Sequence, residues 1–490
     1  MIYASTLGFG FAYDDATVVT RHPLVEAEAW GEIIRSAYHV GTDVRVQTGA
    51  YRPLTIASLA ANHAVSANRP WSYHLVNVLL HAFASALVVL LAAQFGATLG
   101  SALVGGLAFA VHPVHVEAVA NVAGRAEVLS GVLALAALLA YTHRRLLTFA
   151  LLLGAALFAK ENVVTVFGVV ALWEALRPTH PGTDQVAARA RAAALPLLAA
   201  LVPIAVYLSA RFAVLGGFGL AAGSVTAIEN PILGLSGIPR AATVLSVFGR
   251  AVSLALTPVR LSPDYGFAEI APSVSFLAPG PILGGLFLLV LTGLVVVCWR
   301  RAPRVAFLVG AALVTYSIVS NAFVLIGTVL GDRLLYLPSV FACILFGLVA
   351  SAATRNRGRL VSVLAVGMVL SALAVRSLTY ASVWRDDETL FAYAARVAPR
   401  SVRALGGWAE ILLEQRRFED ARAVLDRAVA IAPDFIPNRL NRASANLSAG
   451  DLDAAEADAR HVLTLDANNV FAKRQLGAVE RLRAAPFRRD

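Results

Sequence analysis

Charge is scarce in this 490-residue chain: Asp, Glu, Lys and Arg make up 15% of it, 58% is hydrophobic, and the mean hydropathy is +0.69. Soluble domains carry about a quarter charged residues, so the scarcity excludes a water-soluble globule and points to a polytopic membrane protein. Cysteine is rarer still. Cys298 and Cys343 lie far apart, each inside or at the end of an apolar run, which argues against a disulfide framework and a thiolate metal site. No G-x-x-x-x-G-K-[ST] loop and no kinase-like signature occurs, so nucleotide-driven chemistry has no motif here. Lysine is confined to Lys160 and Lys473, and the net charge of +10 is carried by arginine. The arginines cluster in short loops between apolar runs, where they set membrane orientation, and nucleic acid is discounted as a partner. The opening run MIYASTLGFGFAY lacks a positive n-region and a cleavage site and is too short to span. It reads as a truncated first helix whose missing turns lie upstream.

Crossing a hydrocarbon core of about 30 Å takes about 20 apolar residues. Candidate spans fall at 73–95, 97–111, 126–142, 145–160, 162–177, 193–212, 279–299, 305–326, 334–351 and 360–378. With the truncated first helix this makes about 11 spans in an all-α membrane bundle. THRR at 142–145, the Arg-bearing stretch 177–191, CWRRAPR at 298–304 and TRNRGR at 354–359 are expected to be cytoplasmic. The segment 240–260 is long enough to span, but Arg250 sits at its centre and Arg240 and Arg260 at its ends. Read as an amphipathic helix in the outer interface, it leaves every Arg-rich loop inside. The membrane domain then covers 1–380, with a first outer loop at 13–70 and an outer region at 213–278.

From about residue 384 the sequence becomes charged and Ala-rich, with a 34-residue period. Ala409 aligns with Ala443, Phe418 with Leu452 and Ala421 with Ala455, the tetratricopeptide (TPR) pattern of small residues where paired helices touch. A TPR domain over 384–485 follows, on the same outer face, with a concave surface suited to an extended peptide.

Several polar groups stand out against the apolar background. Asp14 and Asp15 are either a solvated loop capping the next helix or a general base held just outside the bilayer. In the loop 109–131, His112, His115 and Glu117 have a spacing that could hold a divalent metal, although Pro113 breaks the helix that would align them; a loop gripping a polar substrate, or a plain hydrogen-bonded network, are the other readings. His74, Asn77 and His81 share one face of a membrane helix, as interhelical hydrogen-bonding groups or as the lining of a substrate path. Arg52 in YRPLT, Lys160 and Glu161 in AKEN, and Asp332, Arg333 and Tyr336 in GDRLLY complete the set on the same side, each also readable as an interfacial anchor.

One or two carboxylates with several cations at an outer membrane surface suit glycosyl transfer from a lipid phosphate. The leaving phosphate, with a second pKa near about 6, departs unprotonated, so no general acid is needed. A base must take the acceptor proton, a role for Asp14 or Asp15, and cations must steady the phosphate, a role for Arg333, Lys160 or Arg125.

AYDD, YRPLT, YHLVNVLLH, HPVHVEAVANVAGRAEVL, AKEN, LSPDYGF and GDRLLYLPSV, followed by TPR repeats, resemble in series the transmembrane and tetratricopeptide repeat containing (TMTC) family and its bacterial relatives, over nearly the whole chain. That family is similar to the GT-C class of membrane glycosyltransferases, whose first outer loop carries an essential acidic motif. The resemblance implies transfer of mannose or a similar hexose from a polyprenyl or dolichyl phosphate to Ser or Thr of an acceptor protein, cadherin-like in characterised members, or to a glycan. It implies Asp14 and Asp15 as the acidic motif and Arg52, Arg125, Lys160 and Arg333 about the donor phosphate. It further implies His74, His112, His115, Glu117, Glu161, Asp264 and Tyr336 about the substrates; no metal ligand is assigned, and the divalent-metal reading of the 109–131 loop is left open. The setting expected is a bacterial inner or plasma membrane with site and repeats outside. Two other readings stand beside it. A transporter predicts an inverted internal repeat, which the sequence does not display; a membrane-anchored TPR scaffold leaves Asp14, Glu117 and Arg333 without a task.

Overall fold

The structure, a computed structural model, describes residues 2–41, 49–176, 185–218, 225–353 and 359–484, with 185–191 and 359 described by backbone alone. Two of the arginine-rich loops expected to face the cytoplasm, at 177–191 and 354–359, therefore lie mostly outside the described residues. Among the described residues the regular elements are all helical. The chain forms two compact units, one of residues 1–226, 232–261 and 272–386, the other of 227–231, 262–271 and 387–490.

The first unit is a multi-pass helical membrane bundle. Among the described residues six helical segments are long and apolar enough to cross a bilayer: Pro70–Gln94, Val122–Thr142, Ala192–Leu215, Pro279–Arg301, Asp332–Ala353 and Leu360–Trp384. Leu99–Val111 and Pro113–Ala120 make a seventh if their bent pair counts as one span, and Leu146–Ala159 and Pro303–Ser317 are shorter apolar helices. Pro113 does break its helix, by 49°. Val122–Thr142 and Asp332–Ala353 are mostly buried within the bundle, whereas Pro279–Arg301 and Leu360–Trp384 are 6% buried and present their apolar side chains outward.

Against the eleven or so spans expected, six helical segments, or seven with the bent pair, reach spanning length among the described residues, and two of the expected runs are broken outright. The run 305–326 stops being helical at Ser317, because Asn321, in the left-handed region at φ 60°, turns its amide onto the carbonyls of Thr328 and Val329 and accepts from the Ile326 N–H. The run 162–177 opens as a 3-10 turn, Glu161–Thr165, before the helix Val166–Leu176. The segment read as interfacial is the helix Gly237–Leu256, which is not among the candidate spans and packs against Pro279–Arg301. The opening apolar run contains a 3-10 turn, Ala4–Gly8, lying against Pro70–Gln94.

The ends of the bundle segregate. At one end Arg304 reaches the Gly96 carbonyl at 3.2 Å, and Arg144 of the THRR loop pairs with Glu174 at 2.8 Å. At the other lie the first loop, the bend at Pro113, Lys160 with Glu161, and the start of Asp332–Ala353.

In the second unit the helices Val402–Glu414, Ile436–Ala449 and Val470–Ala484 begin 34 residues apart, each followed or preceded by its antiparallel partner, Phe418–Ile431 or Leu452–Leu465. Ala409, Ala421 and Ala445 are fully buried with Leu412 and Leu425, so small residues do sit where the repeat helices touch. Asp458 is buried between Arg439 at 2.8 Å and Arg442 at 2.7 Å, joining two successive helices by paired charges.

Candidate functional site

The first loop is turned by Tyr13, which adopts φ 58°, a left-handed conformation costly for a bulky residue and supported by edge-on packing of its ring against Trp384 at 6.3 Å. The turn sends the two neighbouring carboxylates to different places. Asp15 is 1% exposed and accepts the Ala12 N–H at 3.1 Å and the Ala123 N–H at 2.7 Å, pinning the loop to the turn Val122–Gly124. Burial pushes its carboxyl up to about 7, against the lowering effect of those N–H donors. Gly124 makes the close approach possible: a Cβ there would lie 2.3 Å from the Ala118 carbonyl oxygen.

Asp14, in contrast, has a side chain 42% exposed, 3.7 Å from the guanidinium of Arg333. Arg333 is held from beneath by the buried Glu117, whose Oε1 lies 3.2 Å from Nη1 and whose Oε2 accepts the Arg333 backbone N–H at 2.9 Å. Lys160, extended at the end of Leu146–Ala159, forms a buried ion pair with Glu127, to which Asn162 donates at 3.5 Å. Burial lowers the Lys160 ammonium, and the Glu127 carboxylate opposes that shift. Arg52, just before Pro53, makes a two-pronged pair with Glu161 at 2.6 and 2.9 Å and lies over the Tyr38 ring at 5.1 Å. Burial alone would raise Glu161, but the Arg52 charge dominates and holds its carboxylate at about 2. Thr55 ties this corner to the Ala159 carbonyl at 2.8 Å.

Three cations, Arg52, Lys160 and Arg333, thus share one electrostatic neighbourhood with Asp14, Glu117, Glu127 and Glu161. His39 and Tyr38 flank it. Burial and the Arg52 charge lower the His39 imidazole to about 4, and burial pushes the Tyr38 phenol up to about 12, so both are neutral near pH 7. The cluster is layered: Glu117, Glu127 and Lys160 form a buried floor, and Asp14, Arg333, Arg52 and Glu161 form a partly exposed rim.

The remaining expected residues sit elsewhere. Arg125 is wholly buried, donating to Asn77 Oδ1, to Asn62 Oδ1 at 3.1 Å and to the Tyr73 carbonyl at 3.0 Å, so it ties helices together. The histidines are taken up by the backbone: His74 bonds the Gly10 carbonyl at 3.1 Å, His81 that of Ala110 at 3.2 Å, His112 that of Ala255 at 3.0 Å and His115 that of Phe109 at 2.7 Å. The hydroxyl of Tyr336 lies 2.9 Å from His81 Nδ1. The spacing that suggested a metal at His112, His115 and Glu117 does not become a ligand set. Their polar atoms point to different partners, and among the described residues no group of three His, Cys, Asp or Glu side chains could hold a metal ion. Asp264 belongs to the second unit, where it accepts from the Ser401 hydroxyl and lies 3.9 Å from Arg403. Glu127 was passed over in sequence, although it lies inside the polar block that drew attention to Glu117.

Fold and cluster together define a multi-pass helical membrane protein with a TPR-type helical module. The protein O-mannosyl-transferase Tmtc1 of Drosophila melanogaster is 27% identical to this chain over 90% of it, and protein O-mannosyl-transferase TMTC3 of Mus musculus 27% over 94%. Protein O-mannosyl-transferase TMTC2 of Mus musculus reaches 36% identity, over 35% of the chain. The chain spans 61%, 53% and 22% of the lengths of these three relatives respectively. No family model and no solved structure matches it. Over most of its length the chain is similar to proteins of the TMTC family.

Proposed function

We propose that the chain is a membrane glycosyltransferase that moves a mannose or similar hexose from a polyprenyl phosphate to a Ser or Thr hydroxyl, or to a glycan, on the extracytoplasmic face. The observation that carries this reading is the partly exposed Asp14 carboxylate 3.7 Å from Arg333, above a buried floor that fixes the arginine. In this reading the acceptor hydroxyl gives its proton to Asp14 as its oxygen bonds to the sugar anomeric carbon. The bond from that carbon to the phosphate oxygen breaks, and the electron pair leaves with the polyprenyl phosphate. Arg333 and Arg52 oppose the charge gathering on the phosphate. Asp15 keeps Asp14 in place through the backbone and does not itself take the proton. The names of the relatives support the reaction class, and the repeats supply a surface for the acceptor protein.

The test is to incubate the purified full chain with a panel of polyprenyl phosphate sugars and cell-envelope proteins, scoring transfer by intact-mass change. Transfer that wild type performs and Asp14→Asn does not is expected. Transfer that survives Asp14→Asn unchanged removes the base assignment, and absence of transfer from every donor favours the non-catalytic scaffold.

A further inference from the structure

A second basic feature shares no residue with the carboxylate–cation cluster and has no part in the proposed reaction. A cavity of about 200 Å³ is lined by Arg250, Ser253, Leu254, Thr257, Val259 and Arg260, at the C-terminal end of Gly237–Leu256. A helix C-terminus ordinarily repels anions through its unpaired carbonyls. Here two of those carbonyls, of Ser253 and Ala255, are taken. Ser253 O accepts from the Thr257 N–H at 2.7 Å and hydroxyl at 2.9 Å, and Ala255 O from His112 at 3.0 Å. Beyond the helix, Val259 O accepts from Arg376 at 3.1 Å and Arg260 O from Arg250 at 3.4 Å. The lining contains two guanidinium groups, two hydroxyls and no carboxylate.

Beside this basic cavity the surface is apolar and outward-facing: Leu256 is 67% exposed and Val259 71%. Cations next to exposed aliphatic side chains, on a helix that is not among the candidate spans, are the pattern of a segment lying at the level of lipid headgroups. A soluble anion would be served by the arginines alone; the adjoining Leu256 and Val259 suit a ligand that brings a hydrocarbon chain with its phosphate.

We propose that Arg250 and Arg260 bind the phosphate of a membrane lipid headgroup in this cavity, with the lipid chain lying along Leu256 and Val259. The site stands whether or not the chain proves to be a glycosyltransferase, since none of its residues belongs to the proposed reaction.

The test uses the full chain in neutral detergent, titrated with phosphatidylglycerol, with diacylglycerol of the same chains, and with inorganic phosphate, binding being read from the rise in unfolding temperature. Phosphatidylglycerol is expected to stabilise wild type, and Arg260→Gln, which leaves the backbone carbonyl at 260 in place, to weaken it about tenfold. Arg260→Lys should retain most of the effect, and Arg250→Gln with Arg260→Gln should abolish it. Equal stabilisation by diacylglycerol, or a phosphatidylglycerol response unchanged in Arg260→Gln, overturns the phosphate site. Inorganic phosphate matching the lipid at equal concentration overturns the lipid assignment in favour of a soluble anion.

Discussion

Glu117 grips Arg333 at two points, its Oε1 3.2 Å from the guanidinium and its Oε2 accepting the backbone N–H at 2.9 Å, across 216 positions of sequence. The side chain that faces Asp14 is thereby fixed at both ends. Replacing Arg333 with Gln is expected to lower transfer by about 10²- to 10³-fold. It is also expected to destabilise the protein, because Glu117 is left buried without its cation. Adding Glu117→Gln should restore the unfolding temperature and leave transfer low, a combination that separates the two roles in one double-mutant cycle.

The adjacent aspartates should respond in opposite ways. Asp14→Asn, at a partly exposed position, is expected to cut transfer by about 10²- to 10⁴-fold while changing stability by less than about 0.5 kcal/mol. Asp15→Asn puts an amide N–H₂ against one of two buried N–H donors and should cost about 1–3 kcal/mol. Thermal unfolding and transfer measured on the same preparations distinguish them.

Asp15 also sets a pH dependence. Its folded carboxyl, raised by burial to about 7 from 3.8, binds a proton that the unfolded chain has already released between those values. Folding therefore takes up a proton in that window, and the contribution of Asp15 to stability falls as pH rises through it, by up to about 1.4 kcal/mol per pH unit. Glu161, held at about 2 by Arg52, acts in the other direction: its contribution is present above about 4.5 and is lost as pH falls toward 2. Unfolding scans from pH 4 to 7 should show a slope that Asp15→Asn removes.

Lys160→Met is expected to destabilise the protein by about 3–5 kcal/mol, because Glu127 loses the cation that compensates its burial. A partner change Glu127→Gln should recover much of that loss in urea or thermal unfolding. If the single change costs nothing, the pair is not a buried floor.

Gly124→Ala tests the docking of the first loop. The added Cβ would meet the backbone of Ala118, which has no rotamer to yield, so the turn that holds Asp15 must shift. A loss of about 1–3 kcal/mol is expected, with transfer reduced further than stability alone explains, because Asp14 moves with the loop.

Much of the architecture was legible in the chain itself. Apolar runs announced the bundle because each must bury its backbone groups in lipid, and the 34-residue period announced the repeats because each must bury Ala409-type small residues against its neighbour. Span limits were less legible. Ser317 ends its helix through Asn321, whose three local hydrogen bonds outweigh continued apolarity. The candidate site was legible as a list of residues and not as pairs. Arg52 meets Glu161 across 109 positions, and no spacing rule reaches that far. The histidines drew attention by their cost in an apolar setting, yet each meets that cost by bonding a carbonyl, as His115 does with Phe109.

By itself the sequence determined that the chain lives in a membrane, that its C-terminal part is a helical repeat, and which polar residues had to find partners. Only the tertiary structure decided that Asp14 looks outward while Asp15 is buried, and that Glu127 joins Lys160 in the floor. The physical reason is that hydropathy and period are properties of neighbours along a chain. The environment of a carboxylate is instead set by whichever distant helix packs against it, and in low dielectric that neighbour determines whether it stays charged, pairs or takes a proton.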